Sequence, residues 1–433
     1  MPRLILALSL FSLTLLSAAC GTAEEPGSAP SKAEPIKVAQ GDWPWWRGTN
    51  RNGVGAADQQ PPVRWSETQN VVWKVDVPGR GHGSPTVVGT RVFLAIAEEE
   101  KQVQAVICYE RSSGKPLWRT DVHQGGFDKG GNPRATQASS TVACDGTRIF
   151  ISFLNKAAIY TTALSLDGKQ LWQTKITDYV RHQGYGSSPA IYKSLVIISA
   201  DNKGEKGGAI AALDRVSGKI VWKNARPAMP NYPSPIILPV AGKEQLLLTG
   251  CELVSSFDPL TGKKQWEIEG ATTECVTSTV TDGELIFTSG GYPRNHTAAV
   301  RADGSGKIVW ENKNRVYVPS MLVHEGYLYA TMDAGTAGCW KCSTGEEMWK
   351  HRLGGKFYSS PVLVGENIYA NNEQGKGFVF KASPKAFEMV AENELGDSVF
   401  ATPAICGGRI YTRVASRKGS VRQETLYCLG RAE

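Results

Sequence analysis

The sequence lacks the features that mark several common protein classes. The apolar run Leu4–Leu16 is shorter than the roughly 20 residues that a membrane-spanning helix needs. No basic run is interleaved with aromatic residues, so we expect no nucleic-acid binding; the net charge of +7 is spread over both signs. The six histidines show no ligand spacing such as His-Glu-x-x-His, and there is neither a nucleophile elbow nor a phosphate loop. Motifs therefore predict no catalytic residue and no metal ligand.

The N-terminus has the pattern of an export signal followed by a tether. Residues 1–19 combine Arg3 with the apolar run and end in small residues, as in a secretory signal peptide. Those small residues precede Cys20 and resemble a bacterial lipobox. This predicts lipidation of Cys20 and anchoring in the cell envelope, at an outer membrane facing the periplasm; cleavage and release is the alternative. Residues 20–40, rich in Pro, Ser, Ala, Glu and Lys, are predicted to form a disordered tether.

A tryptophan-rich arm occupies residues 41–70. Trp43, Trp45 and Trp46 form an aromatic cluster ahead of the main domain. We expect these rings to fasten the arm to the outside of that domain, because large aromatic side chains gain free energy when they are buried. An exposed partner site is the alternative.

One motif recurs along the rest of the chain. A turn that contains Ser, Thr or Asp, then Gly and usually Lys, is followed by a tryptophan four residues after the glycine, as in Gly218 and Trp222. The glycine suits a hairpin turn with a left-handed backbone, and the indole ring is expected to cover the seam between repeats. The tryptophans of this series are Trp118, Trp172, Trp222, Trp266, Trp310 and Trp349, with Trp73 and Phe387 as degenerate members.

A second marker opens each repeat: a hydroxyl residue, often followed by proline, ahead of a short apolar run. The eight openings are Ser84, Ser139, Ser188, Ser234, Ser278, Ser320, Ser360 and Thr402. Their spacing of roughly 40 to 55 residues is typical of a four-stranded propeller blade. We therefore predict an all-β, monomeric, eight-bladed β-propeller of antiparallel blades over residues 71–433. The last repeat lacks a tryptophan strand, so the strand around Trp73 is expected to complete it and close the ring.

The repeat resembles that of a known family. The segment from Ala211 to Trp222 is similar to the tryptophan-docking repeat of the pyrroloquinoline-quinone-like (PQQ-like) propellers, which include quinoprotein alcohol dehydrogenases and BamB-like lipoproteins. The resemblance extends over most of the chain. The arm from Asp42 to Asn50 is similar to the leader of secreted planctomycete-type propellers of unknown function.

The resemblance implies two classes of function. A quinoprotein enzyme would hold PQQ over the axis beside a Ca²⁺ ion bound by carboxylate and amide oxygens, with an aspartate as base. Many such enzymes carry two adjacent cysteines, which this sequence does not have, and Cys339-Trp340-Lys341-Cys342 is followed by Ser343 rather than by a haem-binding histidine. We therefore expect no cofactor and predict a cell-envelope binding or scaffolding protein, with outer-membrane protein assembly as one such role. A PQQ-dependent oxidoreductase and a sensor of a small anionic ligand are the alternatives.

The cysteines offer one candidate disulfide. Cys339 and Cys342 are expected on opposite faces of one strand, and Cys406 and Cys428 on strands too far apart to bridge. Cys251 and Cys275 are expected on the same face of adjacent blades, where an exported protein could oxidise them.

Residues just before the openings are expected to ring one mouth of the central channel. Most of them are cations or aromatics, which predicts a funnel for an anionic small molecule, an acidic peptide or an exposed strand of a partner. Ordinary solvated loop residues are the alternative. The funnel candidates are Arg80, His82, Arg134, Arg181, Tyr185, Tyr232, Arg315, Tyr317, Lys356 and Tyr358.

Overall fold

The computed structural model describes residues 34–128, 132–419 and 421–431. Within them 32 strands form eight antiparallel four-stranded sheets, each a meander apart from the one that joins both ends of the chain. The first strands of neighbouring sheets contact one another around a common axis. The prediction of an all-β, eight-bladed propeller is confirmed. The described residues contain no helix long and apolar enough to cross a bilayer.

The first four blades take up residues 86–269. Their strands are β2 (Thr86–Val88), β3 (Arg91–Glu98), β4 (Val103–Glu110) and β5 (Pro116–Gln124); β6 (Ala143–Cys144), β7 (Arg148–Asn155), β8 (Ala158–Ser165) and β9 (Gln170–Asp178); β10 (Ala190–Tyr192), β11 (Leu195–Ala200), β12 (Gly208–Asp214) and β13 (Ile220–Arg226); and β14 (Ile236–Val240), β15 (Lys243–Gly250), β16 (Leu253–Phe257) and β17 (Lys264–Glu269).

The last four blades take up residues 280–429 and the strand β1 (Val71–Val77). Their other strands are β18 (Val280–Thr281), β19 (Leu285–Gly290), β20 (His296–Arg301) and β21 (Ile308–Asn312); β22 (Leu322–His324), β23 (Tyr327–Met332), β24 (Thr336–Lys341) and β25 (Glu347–Arg352); β26 (Val362–Val364), β27 (Asn367–Asn371), β28 (Lys376–Lys381) and β29 (Met389–Glu394); and β30 (Ala404–Cys406), β31 (Arg409–Lys418) and β32 (Val421–Leu429).

The ring closes through its two ends. Strand β1 pairs antiparallel with β32, with Trp73 opposite Cys428 and Val75 opposite Leu426. The eighth blade thus takes its outermost strand from the start of the propeller, as predicted. This pairing leaves no incomplete blade at the point where the ring begins and ends.

The blade tryptophans pack on the turn glycine of the next blade. The indole of Trp172 lies beneath Gly218, which has a φ of +73°, and its Nε1 donates a 3.3 Å hydrogen bond to the Arg215 carbonyl. A Cβ at Gly218 would lie 2.5 Å from the Trp172 ring, so this contact requires glycine. Corresponding indole hydrogen bonds to the next blade come from Trp73, Trp118, Trp222, Trp310 and Trp349, whereas Trp266 donates to Gln245 of its own blade.

The N-terminal arm crosses the axis of the ring, so the expectation that it fastens to the outside is wrong. Its residues contact the first strands of blades on every side of the channel. Trp43 pairs with Val87, and Val54 lies parallel to Leu363. The inner strands expose unpaired backbone polar groups and an apolar surface toward the axis. The arm forms hydrogen bonds with the polar groups and packs its aromatic rings on the apolar surface. Trp43 is accordingly only 2% exposed.

The predicted N-terminal segments are described only in part. The signal peptide (residues 1–19), Cys20 and most of the predicted tether lie outside the described residues. The last residues of that tether contact the propeller: the Lys37 amide donates to the Asp145 carbonyl at 2.8 Å, and Ile36 and Val38 pack on the second and third blades.

Candidate functional site

A belt of hydroxyl groups surrounds the axis at the start of the innermost strands. The backbone N–H of Ser188, for example, donates a 2.9 Å hydrogen bond to Ser234 Oγ of the next blade. The same bond recurs around the ring at 2.9–3.0 Å, and its acceptors are Thr141, Ser188, Ser234, Ser320, Ser360 and Thr402. We call these six groups the hydroxyl belt. The repeated opening residues therefore tie together six of the eight pairs of neighbouring blades.

The second blade corrects one detail of the repeat. Ala143 pairs with Phe150 there as Thr86 pairs with Phe93 in the first blade, which makes Thr141 the equivalent of Ser84. The predicted opening at Ser139 lies two residues too early, because several hydroxyl residues precede this strand and the sequence alone does not select among them.

A cavity of about 400 Å³ lies above the belt on the axis. Trp46 of the arm forms its floor, and the indole Nε1 donates a 2.8 Å hydrogen bond to Ser278 Oγ. Trp45 is buried in the core of the second and third blades, so Trp46 is the member of the aromatic cluster that reaches the cavity. Seven of the ten funnel candidates line the cavity, namely His82, Arg134, Tyr185, Tyr232, Arg315, Tyr317 and Tyr358.

The other three funnel candidates do not line the cavity. Arg80 donates to the carbonyls of Pro133 and Arg134, and Arg181 donates to the Asp128 carbonyl at 2.8 Å. Both guanidinium groups therefore hold the backbone of the loop before the second blade. Lys356 is exposed outside the cavity.

One wall of the cavity is cationic and aromatic. The Arg134 guanidinium hydrogen-bonds the Tyr358 hydroxyl, lies 5.6 Å from the centre of that ring and pairs with Glu373 at 3.3 Å. His82 stacks on Phe400 with ring centres 4.4 Å apart. Burial, together with nearby arginines, holds the pKa of His82 well below its usual value, so the imidazole is neutral at pH 7.

The opposite wall carries two tyrosine hydroxyls. The Tyr317 hydroxyl donates to Glu274 at 3.0 Å, and the Tyr232 hydroxyl lies 2.9 Å from His182 Nδ1. Burial and the Glu274 carboxylate raise the pKa of Tyr317, which keeps its phenol protonated. Arg315 lies 5.1 Å from the centre of the Tyr317 ring and donates to the Gly291 carbonyl.

Asp333 is the carboxylate that lines the cavity itself. Its Oδ2 accepts a 2.7 Å hydrogen bond from the Tyr317 amide, and burial raises the pKa of the carboxyl group. Sequence position did not predict Asp333, because this residue follows the second strand of its blade and does not lie in the segment before an opening. Asn132 and Gln183 bond each other at 2.9 Å and also line the cavity. Both precede an opening, but neither is a cation or an aromatic residue, the two types from which the funnel was predicted.

The residues of the cavity do not fit a quinone with Ca²⁺. Among the residues that the structure describes, no group of three or more His, Cys, Asp or Glu side chains could hold a metal ion. Asp333 is the single carboxylate among the cavity-lining residues, and one of its oxygens already accepts the Tyr317 amide. A Ca²⁺ ion needs six to eight oxygen ligands, several of them charged.

The predicted disulfide is not formed. Cys251 and Cys275 are both buried free thiols. The Cys251 thiol points to Asp201 Oδ2 at 3.6 Å, and Cys275 lies 3.5 Å from the Thr272 hydroxyl. The two blades do bring their loops together, since the Cys251 amide donates to the Thr273 carbonyl, but each sulfur has a different polar neighbour.

Comparison with known sequences gives one family and several distant relatives. The family model described as outer membrane protein assembly factor BamB matches residues 102–313 and 294–383, more than half of the chain. A polyvinylalcohol dehydrogenase of a Pseudomonas species is 30% identical over 259 residues, which cover 53% of this chain and 36% of that protein. The chain thus spans about a third of that relative's length. BamB of Moranella endobia is 23% identical over 343 residues, covering 77% of this chain and 82% of that protein.

A solved structure shares the fold. The crystal structure of BamB from Moraxella catarrhalis superposes with a TM-score of 0.60 at 14% identity, covering 82% of this chain and 96% of that one. The repeat, the eight blades and the family match agree with one another. This chain belongs to the PQQ-like propeller repeat family whose model carries the BamB description.

Proposed function

We propose that this protein is an exported binding protein of the cell envelope whose axial cavity takes a small anionic molecule. The observation that carries the proposal is the cavity of about 400 Å³ with Arg134 and Arg315 on opposite walls and Trp46 as its floor. Cavities of this size suit small molecules, and a few convergent polar groups set their specificity.

Arg134 and Arg315 each have N–H donors that form no hydrogen bond with the described residues. Arg134 uses its Nη1 for Tyr358 and Glu373, and Arg315 uses its Nη1 for Gly291 and Asn295, so Nε and Nη2 of each have no partner among the described residues. A guanidinium offers five N–H donors in a fixed fork, which matches a carboxylate or phosphate. An anion in the cavity would take up these donors.

The N-terminal sequence supports a location at the cell envelope. The segment before Cys20 resembles a lipobox, and anchoring there would hold the propeller at a membrane surface. The similarity to BamB supports a scaffolding role in outer-membrane protein assembly as the finer form of this proposal, with a protein segment as the occupant of the mouth.

The test is native mass spectrometry of the protein purified from the cell envelope. We expect a small anionic mass that is bound to the wild type and lost in the double variant Arg134→Gln, Arg315→Gln. Lys356→Gln is the matched control, because it removes a mouth cation that does not line the cavity. Retention of the same mass by a folded double variant would contradict the proposal. Copurification of a membrane protein with an empty cavity would instead favour the scaffolding role.

A quinone-dependent oxidoreductase is the second candidate. The 30% identity to a polyvinylalcohol dehydrogenase favours it, and Asp333 supplies a cavity carboxyl group with a raised pKa. The donor set does not suit a Ca²⁺ ion, so we derive no reaction step. Adding PQQ and Ca²⁺ and measuring dye reduction by primary alcohols tests this candidate directly; turnover that Asp333→Asn abolishes would establish it.

A further inference from the structure

The hydroxyl belt carries more hydrogen-bonding capacity than the fold uses. A serine or threonine hydroxyl offers one donor and two acceptor sites. In the belt, one acceptor site takes the neighbouring backbone N–H, while among the described residues no acceptor is present for the hydroxyl proton itself. Buried hydroxyl donors without an acceptor are unfavourable, and a ligand rich in oxygen would satisfy them.

Five of the six belt hydroxyls face the cavity. They are Thr141, Ser188, Ser234, Ser360 and Thr402. All five are at least nine-tenths buried, so bulk water reaches them only through the cavity mouth. They form an arc of O–H donors beside the indole of Trp46.

The groups above the belt add acceptors to these donors. Asp333 presents a carboxylate with one oxygen, Oδ1, that accepts no hydrogen bond from the described residues. The amide oxygens of Asn132 and Gln183 each accept one hydrogen bond and keep a second acceptor site. A ligand that both accepts from the belt and donates to Asp333 needs hydroxyl groups of its own. An unsubstituted aromatic acid such as benzoate has no hydroxyl group, whereas a neutral sugar has several but leaves Arg134 and Arg315 without an anion.

We propose that the cavity binds a sugar acid: a ring with several hydroxyl groups and one carboxylate, such as a uronic acid, with its hydroxyls on the belt and Asp333 and its carboxylate against an arginine. The proposal rests on the function proposed above and names its ligand class. The apolar face of the sugar ring would pack on Trp46, since flat aromatic rings offer apolar area at little entropic cost.

Calorimetry with three probes separates the parts of this proposal. Galacturonate carries hydroxyls and charge, glucose carries hydroxyls alone, and benzoate carries charge alone. We expect galacturonate to bind the full chain at least tenfold more tightly than either of the others. Equal binding of benzoate would contradict the sugar-acid class while leaving the anion site intact. Equal binding of glucose would contradict the anion site and, with it, the proposed function.

A matched pair of variants tests the belt itself. Ser320 and Ser360 each accept one backbone N–H from the preceding blade, but only Ser360 lines the cavity. Ser320→Ala and Ser360→Ala should therefore lose similar thermal stability, and Ser360→Ala alone should weaken galacturonate binding, by about fivefold. Equal affinity in both variants would assign the belt a purely structural role. A folded wild type that retains an anionic mass in native spectra but does not bind galacturonate would also overturn the sugar-acid class.

Discussion

Trp46 Nε1 donates a 2.8 Å hydrogen bond to Ser278 Oγ, and this bond joins the N-terminal arm to the segment just before the first strand of the fifth blade. Ser278 lies outside the hydroxyl belt, and among the described residues the Trp46 indole rather than a neighbouring backbone amide donates to it. The arm thus supplies the floor of the cavity from outside the repeats. A segment that precedes the propeller in the chain has become part of its candidate binding site.

The arm variants should separate binding from stability. Trp43→Ala removes a ring that is 2% exposed and should cost about 3–5 kcal/mol of unfolding free energy, as measured by urea denaturation. Trp46 is only partly buried, so Trp46→Ala should cost about 1–2 kcal/mol and abolish ligand binding. Unchanged binding in Trp46→Ala would show that the arm does not form the floor.

The contact between Gly218 and Trp172 can be tested against a glycine of similar backbone angle. Gly218→Ala should destabilise the fold by about 2–4 kcal/mol for two reasons. The new Cβ would clash with the Trp172 ring, and alanine is strained in the left-handed backbone conformation at this position. Gly242→Ala, with a φ of +76° and open space around the new Cβ, should cost only the strain of about 1 kcal/mol. Equal unfolding free energies in the two variants would show that the contact with Trp172 does not contribute to the loss of stability.

The partly buried His82 should make the fold sensitive to acid. Burial, with nearby arginines, lowers its folded-state pKa below the unfolded value of about 6.5, so the unfolded chain binds more protons. The contribution of neutral His82 to the free energy of unfolding is fully present above pH 6.5. It is lost as the pH falls below that value, by up to about 1.4 kcal/mol per pH unit.

His82→Phe keeps the stack on Phe400 and removes the titrating group. Urea denaturation of the wild type and of this variant at pH 7 and pH 5 measures the difference. The variant should lose less stability than the wild type over that range, and parallel losses would rule out His82 as the source.

Cys251 and Cys275 should remain reduced in the folded protein. Burial raises the pKa of both thiols, which suppresses the thiolate that oxidation requires. We expect iodoacetamide to label them only after denaturation and a reducing agent to leave the melting temperature unchanged. A Cys251–Cys275 peptide in a non-reducing digest would overturn this expectation.

The arginines of the mouth show where prediction from sequence ends. Arg134 and Arg181 both precede an opening and look alike in the sequence. In the structure Arg134 faces the cavity, whereas Arg181 bonds the carbonyl of Asp128, about 50 residues earlier in the chain. Sequence position predicts the face of the ring on which a residue lies, but the path of a neighbouring loop decides whether its donors are free.

The blade count, the four-stranded meander and the closure through Trp73 were determined by the sequence itself, because each repeat carries its own opening hydroxyl and six of the eight carry the turn glycine and the tryptophan. These signals are local and recur six to eight times, so errors such as the two-residue shift at Ser139 do not alter the result. The position of the arm, the floor at Trp46 and the exposure of Asp333 were decided only by the tertiary structure. They depend on contacts between segments far apart in the chain, which form only once the ring has closed around the axis.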